Sequence, residues 1–243
     1  MLKKLKCICI GICIALSAHA QDKLTDFVNP FIGTTTLWDS VDLGYKPTRR
    51  AWGAETYPGA SLPNSMVQVT PVTMWKSGSG YQYEDTVIYA FVHTSKGHWN
   101  LCYVPIIAVS GDVNPKAYYS GFKHSNESAR PGYYQVYLEK YGINAEVTST
   151  LRCAFHKYTY RSGDKKKLLA DLSRSNEDVK DWEIEKLNDY AFGGFQKTGN
   201  TFYFYAVTNY QIDNIEFVKD GNQGVSIVNF EDSGNNSAPL EMK

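Results

Sequence analysis

No stretch limits the folds open to this 243-residue chain more than residues 143–151. There Ile143, Ala145, Val147, Ser149 and Leu151 alternate with Asn144, Glu146, Thr148 and Thr150. A period of two marks a strand with one face in a core and the other in water. Residues 132–141 and 153–161 flank it with the same length and strand-forming composition, and Tyr141-Gly142 supplies a bend, so the three read as a meander. Further strand-length runs precede it at 87–93 and 101–109 and follow it at 166–172, 181–187, 190–197, 201–208, 212–219 and 223–230. Turn signals separate the later ones at Ser162-Gly163-Asp164, Thr198-Gly199-Asn200 and Asp220-Gly221-Asn222. No segment carries a 3.6-residue apolar stripe. Residues 173–180 are the best helix candidate, and they are short and polar. Many short strands without clear helices predict an all-β, two-sheet antiparallel sandwich.

The first 20 residues stand apart. Lys3, Lys4 and Lys6 open them, residues 7–16 form an apolar run, and Ala18-His19-Ala20 gives a small-x-small cleavage pattern before Gln21. The run is short for a bilayer span, so residues 1–20 read as a cleavable export signal and residues 21–243 as a periplasmic or secreted chain without a membrane anchor. The leader holds three of the 25 basic residues and none of the 25 acidic ones, leaving a net charge of −3. With no basic run beyond Lys165-Lys166-Lys167, that balance excludes nucleic acid as a ligand class. Cys7, Cys9 and Cys13 leave with the signal. Cys102 and Cys153 remain in strand-like runs and read as buried small hydrophobes, with a disulfide left open by export. They make no zinc site, since no paired histidines stand near them.

Ahead of the meander the punctuation changes. ETYPGASLPNSMVQVTP (residues 55–71) turns through Tyr57, Pro58, Gly59 and Pro63, then alternates at residues 66–69 like a strand. VNPFIGT (28–34) lies upstream of it and SGSGYQYED (77–85) downstream. We expect these three segments to form one ridge of loops that meets the ligand. Between them, residues 34–55 are a polar loop holding Trp38, Arg49, Arg50 and Trp52, of a length that usually carries function. The chain has 18 tyrosines and five tryptophans, which suits strands and also suits stacking on the C–H faces of sugars.

VNPFIGT, YPGA (57–60), MVQVTP (66–71) and SGYQYED (79–85), in that order, resemble the N-terminal domain of family 92 glycoside hydrolases. The likeness continues through PGYYQVYLEKYGINAEVTST (131–150), CAFHKYTY (153–160) and LLADLS (168–173). Members of that family are exo-acting α-mannosidases acting on mannose-containing glycans. The resemblance implies a galactose-mutarotase-like sandwich followed by a large (α/α)₆ helical domain. It also implies that calcium and the two carboxylates of an inverting mechanism belong mainly to that helical domain. On this reading residues 21–243 form a sandwich domain cut off from its helical partner, with no catalytic residue, metal ligand or cofactor of its own. A stand-alone carbohydrate-binding module is the alternative, and a mutarotase-like enzyme using His and Glu on the sandwich is a third. The chain departs from the family pattern at Pro63-Asn64-Ser65, in the long insertion before Glu55, and at residues 92–98.

Trp75 roughly matches a family aromatic close to the bound sugar, and Gly78 and Gly80 beside it leave little for it to pack under. It is either a stacking platform or a cap on the core. Trp52, Tyr57 and Tyr81 are candidates on the same argument. His93 and His98 flank a glycine turn, where they either donate to sugar hydroxyls or a metal, or sit as surface residues. His156, inside the meander, reads as a hydrogen-bonded strand residue, and Glu55, Glu84 and Asp85 as solvated loop acids.

Overall fold

The alternation becomes an alternation of burial over residues 143–149, whereas Leu151, expected on the buried face, lies past the end of the strand and is exposed. The computed structural model describes residues 23–37, 44, 51–52, 54–96, 99–220, 223–231 and 237–243. Ile143, Ala145, Val147 and Ser149 are buried, while Asn144, Glu146 and Thr148 face outward. The larger sheets begin with β1 (Thr70–Val72), β2 (Ala90–Val92) and β3 (Ile106–Val109). The meander follows as β4 (Glu127–Arg130), β5 (Tyr133–Leu138), β6 (Ile143–Ser149) and β7 (Ala154–Thr159). Next come β8 (Lys167–Ala170), β9 (Asp181–Asn188), β10 (Ala191–Lys197) and β11 (Thr201–Val207). Last are β12 (Ile212–Asp220), β13 (Gln223–Phe230) and β14 (Leu240–Met242).

A six-stranded sheet runs β12-β13-β8-β3-β2-β1 and a five-stranded sheet runs β4-β5-β6-β7-β14. These are the two layers of the sandwich. Phe91 of β2 meets Tyr134 of β5 and Tyr158 of β7 with ring centroids 6.2 and 6.4 Å apart, so the layers touch across one core. Register builds rows across the inner face: Tyr134, Val147, His156 and Met242 form one, and Val136, Ala145, Tyr158 and Leu240 another. A third sheet, β9-β10-β11, is an antiparallel meander of its own. The expected all-β sandwich is therefore the observed one. The helical residues among those described are two 3₁₀ turns, Leu24–Phe27 and His124–Asn126. No helix among the described residues is long and apolar enough to cross a membrane.

Three local expectations need correction. Residues 173–180 form no helix, because Ser and Asp side chains satisfy the backbone and one another locally. Ser175 Oγ donates to Glu177 O (2.6 Å) and accepts from Glu177 N (2.9 Å), and Ser173 Oγ donates to Asp171 (2.7 Å). Residues 101–109 are not one strand: only Ile106–Val109 is, since Cys102 and Val104 lie in the left-handed region at φ 55° and 52°. The strand expected at 66–69 begins at Thr70, with Met66 largely exposed and Val69 bridging Ala60. Cys102 is buried and Cys153 half-buried, and both are free thiols.

Candidate functional site

The three loop segments do converge. Tyr83 N donates to Thr34 O (3.1 Å), Thr36 N to Glu84 Oε1 (2.9 Å) and Thr56 Oγ1 to Ile32 O (2.8 Å). Asp85 Oδ2 accepts from Thr73 Oγ1 at 2.9 Å. Glu84 is exposed, as expected of a loop acid, yet it and the half-buried Asp85 also fasten the ridge. The central segment closes on itself where Ala60 and Val69 exchange backbone hydrogen bonds (2.8 and 2.9 Å). A Cβ on Gly59 would lie 2.1 Å from Val69 O, so only glycine lets the backbone come this close.

Trp75 stands on a tight turn at the end of β1. Its ring packs on Val72, Val92 and Cys102, with Tyr89 6.2 Å away by ring centroids. The turn is held from below by Asn176, which is 6% exposed. Asn176 Nδ2 donates to Ser77 O (2.9 Å) and Asn100 O (2.6 Å), and its Oδ1 accepts from Lys76 N (2.6 Å). Asn100 Nδ2 donates to Ser79 O at 3.0 Å. Glu55 presses its carboxyl group against Gly78, where a Cβ would come within 2.8 Å of it. Glu55, Lys76, Cys102 and Val104 all have positive φ. Left-handed non-glycine residues cost about 1–3 kcal/mol each and gather where function fixes a geometry. The Trp75 indole N–H is buried and has no acceptor among the described residues. An orphaned buried donor on an aromatic ring held by a strained, cross-braced turn is the kind of group that calls for a functional explanation.

The remaining candidates lie elsewhere. Tyr57 is half-buried and donates its hydroxyl to Gln68 Oε1, and burial pushes its pKa up. Tyr81 is fully buried in the main core and shows no ring face to solvent, whereas Trp75 packs on a separate small cluster. His93 turns both ring nitrogens inward: Nδ1 bonds Val104 O (2.8 Å) and Nε2 bonds His156 Nε2 (2.9 Å). Burial lowers the pKa of His93 to about 4 and that of His156 well below the usual range, the latter with help from His93. His156 is a hydrogen-bonded strand residue, as its place in the meander implies. Trp52 pairs by its backbone with Thr36, and its side chain, like His98, Trp38, Arg49, Arg50 and residues 1–20, lies outside the described residues. Among the described residues no group of three or more His, Cys, Asp or Glu is placed to hold a metal.

One cluster escaped the sequence reading. Glu127 has a side chain only 1% exposed, and four hydrogen bonds from three donors reach it. Tyr81 Oη donates to Oε1 (2.9 Å) and Oε2 (3.1 Å), Tyr134 Oη to Oε1 (2.6 Å), and His124 Nδ1 bonds Oε2 (2.6 Å). It joins SGYQYED to PGYY, two motifs far apart in the chain. The signal was present, since HSNE directly precedes the meander, but an acid at the start of a strand looks like any solvated one.

The family model described as the glycosyl hydrolase family 92 N-terminal domain matches residues 27–239. The chain superposes on a family 92 α-mannosidase of Bacteroides thetaiotaomicron with a TM-score of 0.77, at 23% identity, covering 92% of this chain and 33% of that one. The same mannosidase in complex with mannoimidazole gives 0.74 at 23% identity, covering 91% and 32%. A family 92 inverting mannosidase of the same organism gives 0.72 at 18% identity, covering 91% and 31%. The chain thus spans about a third of the length of the enzymes whose fold it shares. No curated protein matches it in sequence.

Proposed function

The chain belongs to the family of glycosyl hydrolase family 92 N-terminal domains, and from that premise we propose that it is the sandwich part of an exported α-mannosidase-type hydrolase. In this reading it presents sugar-contacting loops, and the catalytic carboxylates and any calcium belong to a helical portion outside it. The observation that carries the reading is the Trp75 turn, strained, braced by Asn176 and ending in an unpartnered indole N–H. The employment of the nearby acids supports the second half of the proposal. Glu84, Asp85 and Glu127 are all tied into the fold, whereas inversion needs one carboxylic acid and one carboxylate facing the scissile bond from opposite sides. Calcium finds no set of three candidate His, Cys, Asp or Glu ligands among the described residues, so no step of this reading runs through it.

Three assays test the proposal. An aryl α-mannoside offered to the chain alone is expected to show no turnover, and measurable turnover would overturn the division of labour. In an enzyme reconstituted with a family helical domain, Trp75→Ala is expected to raise KM about tenfold, the size of one lost aromatic contact. Unchanged kinetics would remove Trp75 from the sugar site. Glycan-array binding by the isolated chain, with no activity gained on adding a helical domain, would replace the enzyme-part reading with a stand-alone binding module.

A further inference from the structure

A second cleft opens at the first ridge segment, lined among others by Asn29, Phe31, Ile32, Tyr83, His124 and Glu127. It shares no residue with the Trp75 turn and its supporting cluster. Its wall is ordered by aromatic contact: Tyr83 stacks face to face on His124 (4.0 Å, 6°), and Phe31 meets Tyr83 edge-on (6.0 Å, 71°). Ile32 adds an apolar side chain that is 72% exposed. The polar element is His124. Its Nδ1 is committed to the buried Glu127 carboxylate, itself locked by Tyr81 and Tyr134. A carboxylate behind one ring nitrogen fixes the orientation of the imidazole and leaves the other nitrogen for a ligand.

We propose that this cleft is a binding site for a neutral pyranose ring, with Ile32, Phe31 and Tyr83 against its C–H face and His124 Nε2 bonded to a ring hydroxyl. A hydroxyl gives or accepts a hydrogen bond, so it suits that nitrogen in either protonation state. Charge narrows the class. Among the described residues the lining holds a carboxylate and no lysine or arginine, which disfavours phosphorylated or uronic sugars. The inference does not rest on the Trp75 reading and goes beyond it.

The test is NMR titration of the chain with methyl α-mannoside, and with the glucoside and galactoside in parallel, following the His124 imidazole and Ile32 methyl resonances. At least one pyranoside is expected to shift both with Kd about 1 mM, the strength open to a ligand of this size. Mannose 6-phosphate should bind at least about tenfold more weakly. His124→Phe keeps the stacking and removes Nε2, and should weaken binding about tenfold or more. Because that change could disturb Glu127, Ile32→Glu serves as a second variant at an exposed position where folding is not at stake, and it too should abolish the shifts. Trp75→Ala should leave them intact, so this site and the Trp75 site stand or fall separately. Resonances unmoved by all three pyranosides, or shifts persisting in both cleft variants, would overturn the proposal.

Discussion

Val104 O can only accept a hydrogen bond, and that fact orients a whole chain of residues. His93 must donate from Nδ1, so its neutral Nε2 accepts from His156 Nε2–H, and His156 Nδ1 accepts from Tyr158 Oη. A proton added to His93 Nε2 sets two donors against each other in a buried place, and one added to His156 Nδ1 puts a charge there without a counter-ion among its hydrogen-bond partners. Because the folded pKa of His93 falls to about 4, the unfolded chain binds the extra proton first. Stability is therefore full above about pH 6.5 and declines as pH falls toward 4, by about 2–3 kcal/mol for this residue. Urea midpoints at pH 7 and pH 4.5 should show the loss, and His156→Phe should flatten the slope while lowering the midpoint at pH 7. Glu127 offers a second test. Glu127→Gln keeps the shape but places an NH₂ donor among three donors, so we expect a loss of about 3 kcal/mol and a Tm roughly 10 °C lower. The alternation rule had placed His156 inside the meander. It was silent on Tyr81 and Glu127, because a tyrosine just after a Gly/Ser turn belongs to no period and a buried acid is recognised only by donors that arrive from other segments.

At the scale of elements, the meander was legible because each strand alternates by itself, while residues 101–105 were not. Their apolar run reads as strand, yet Cys102 and Val104 adopt left-handed backbone. Side chains hold it there: the distant Gln196 Oε1 of β10 takes the Val104 N–H (2.9 Å), and the neighbouring Asn100 Oδ1 takes that of Cys102 (2.8 Å). Gly59 shows the reverse, a small motif whose meaning is entirely packing. Gly59→Ala would drive a methyl group into a backbone carbonyl that cannot rotate away, and should cost about 2–3 kcal/mol by thermal or urea unfolding. Asn176→Ala should act on one element. It cuts three bonds to the backbone around the Trp75 turn, so amide exchange across residues 75–80 should accelerate clearly more than exchange in the β5–β7 meander.

For the whole molecule, the sandwich and its all-β class followed from strand spacing, but the outer face of the third sheet did not. In β11 both parities are aromatic, Phe202 and Phe204 half-buried and Tyr203 and Tyr205 exposed at 81% and 63%, so no period could be read. Leu187, Tyr190 and Val207 are exposed as well, as are Leu24, Phe27 and Ile32 toward the other end of the chain. Apolar exposure of this kind favours contact with a further protein surface. The isolated chain is expected to self-associate in sedimentation runs, and Tyr203→Ser with Tyr205→Ser should shift it toward monomer. A monodisperse parent chain would contradict this.

The placing of β14 bears on how the molecule is made. It pairs with β7 through His156–Met242 and Tyr158–Leu240, and Val207 and Lys243 exchange backbone bonds on its other side. All of β8 to β13 must leave the ribosome before that pairing is possible. Until then the nascent chain carries β7 as an open edge, with His156 on it. High contact order slows such closure, and an uncapped strand edge is a template for pairing with another copy. Pairing of β7 with another copy is therefore most favoured before β14 docks, and a holdase that masks β7 would protect the chain until then.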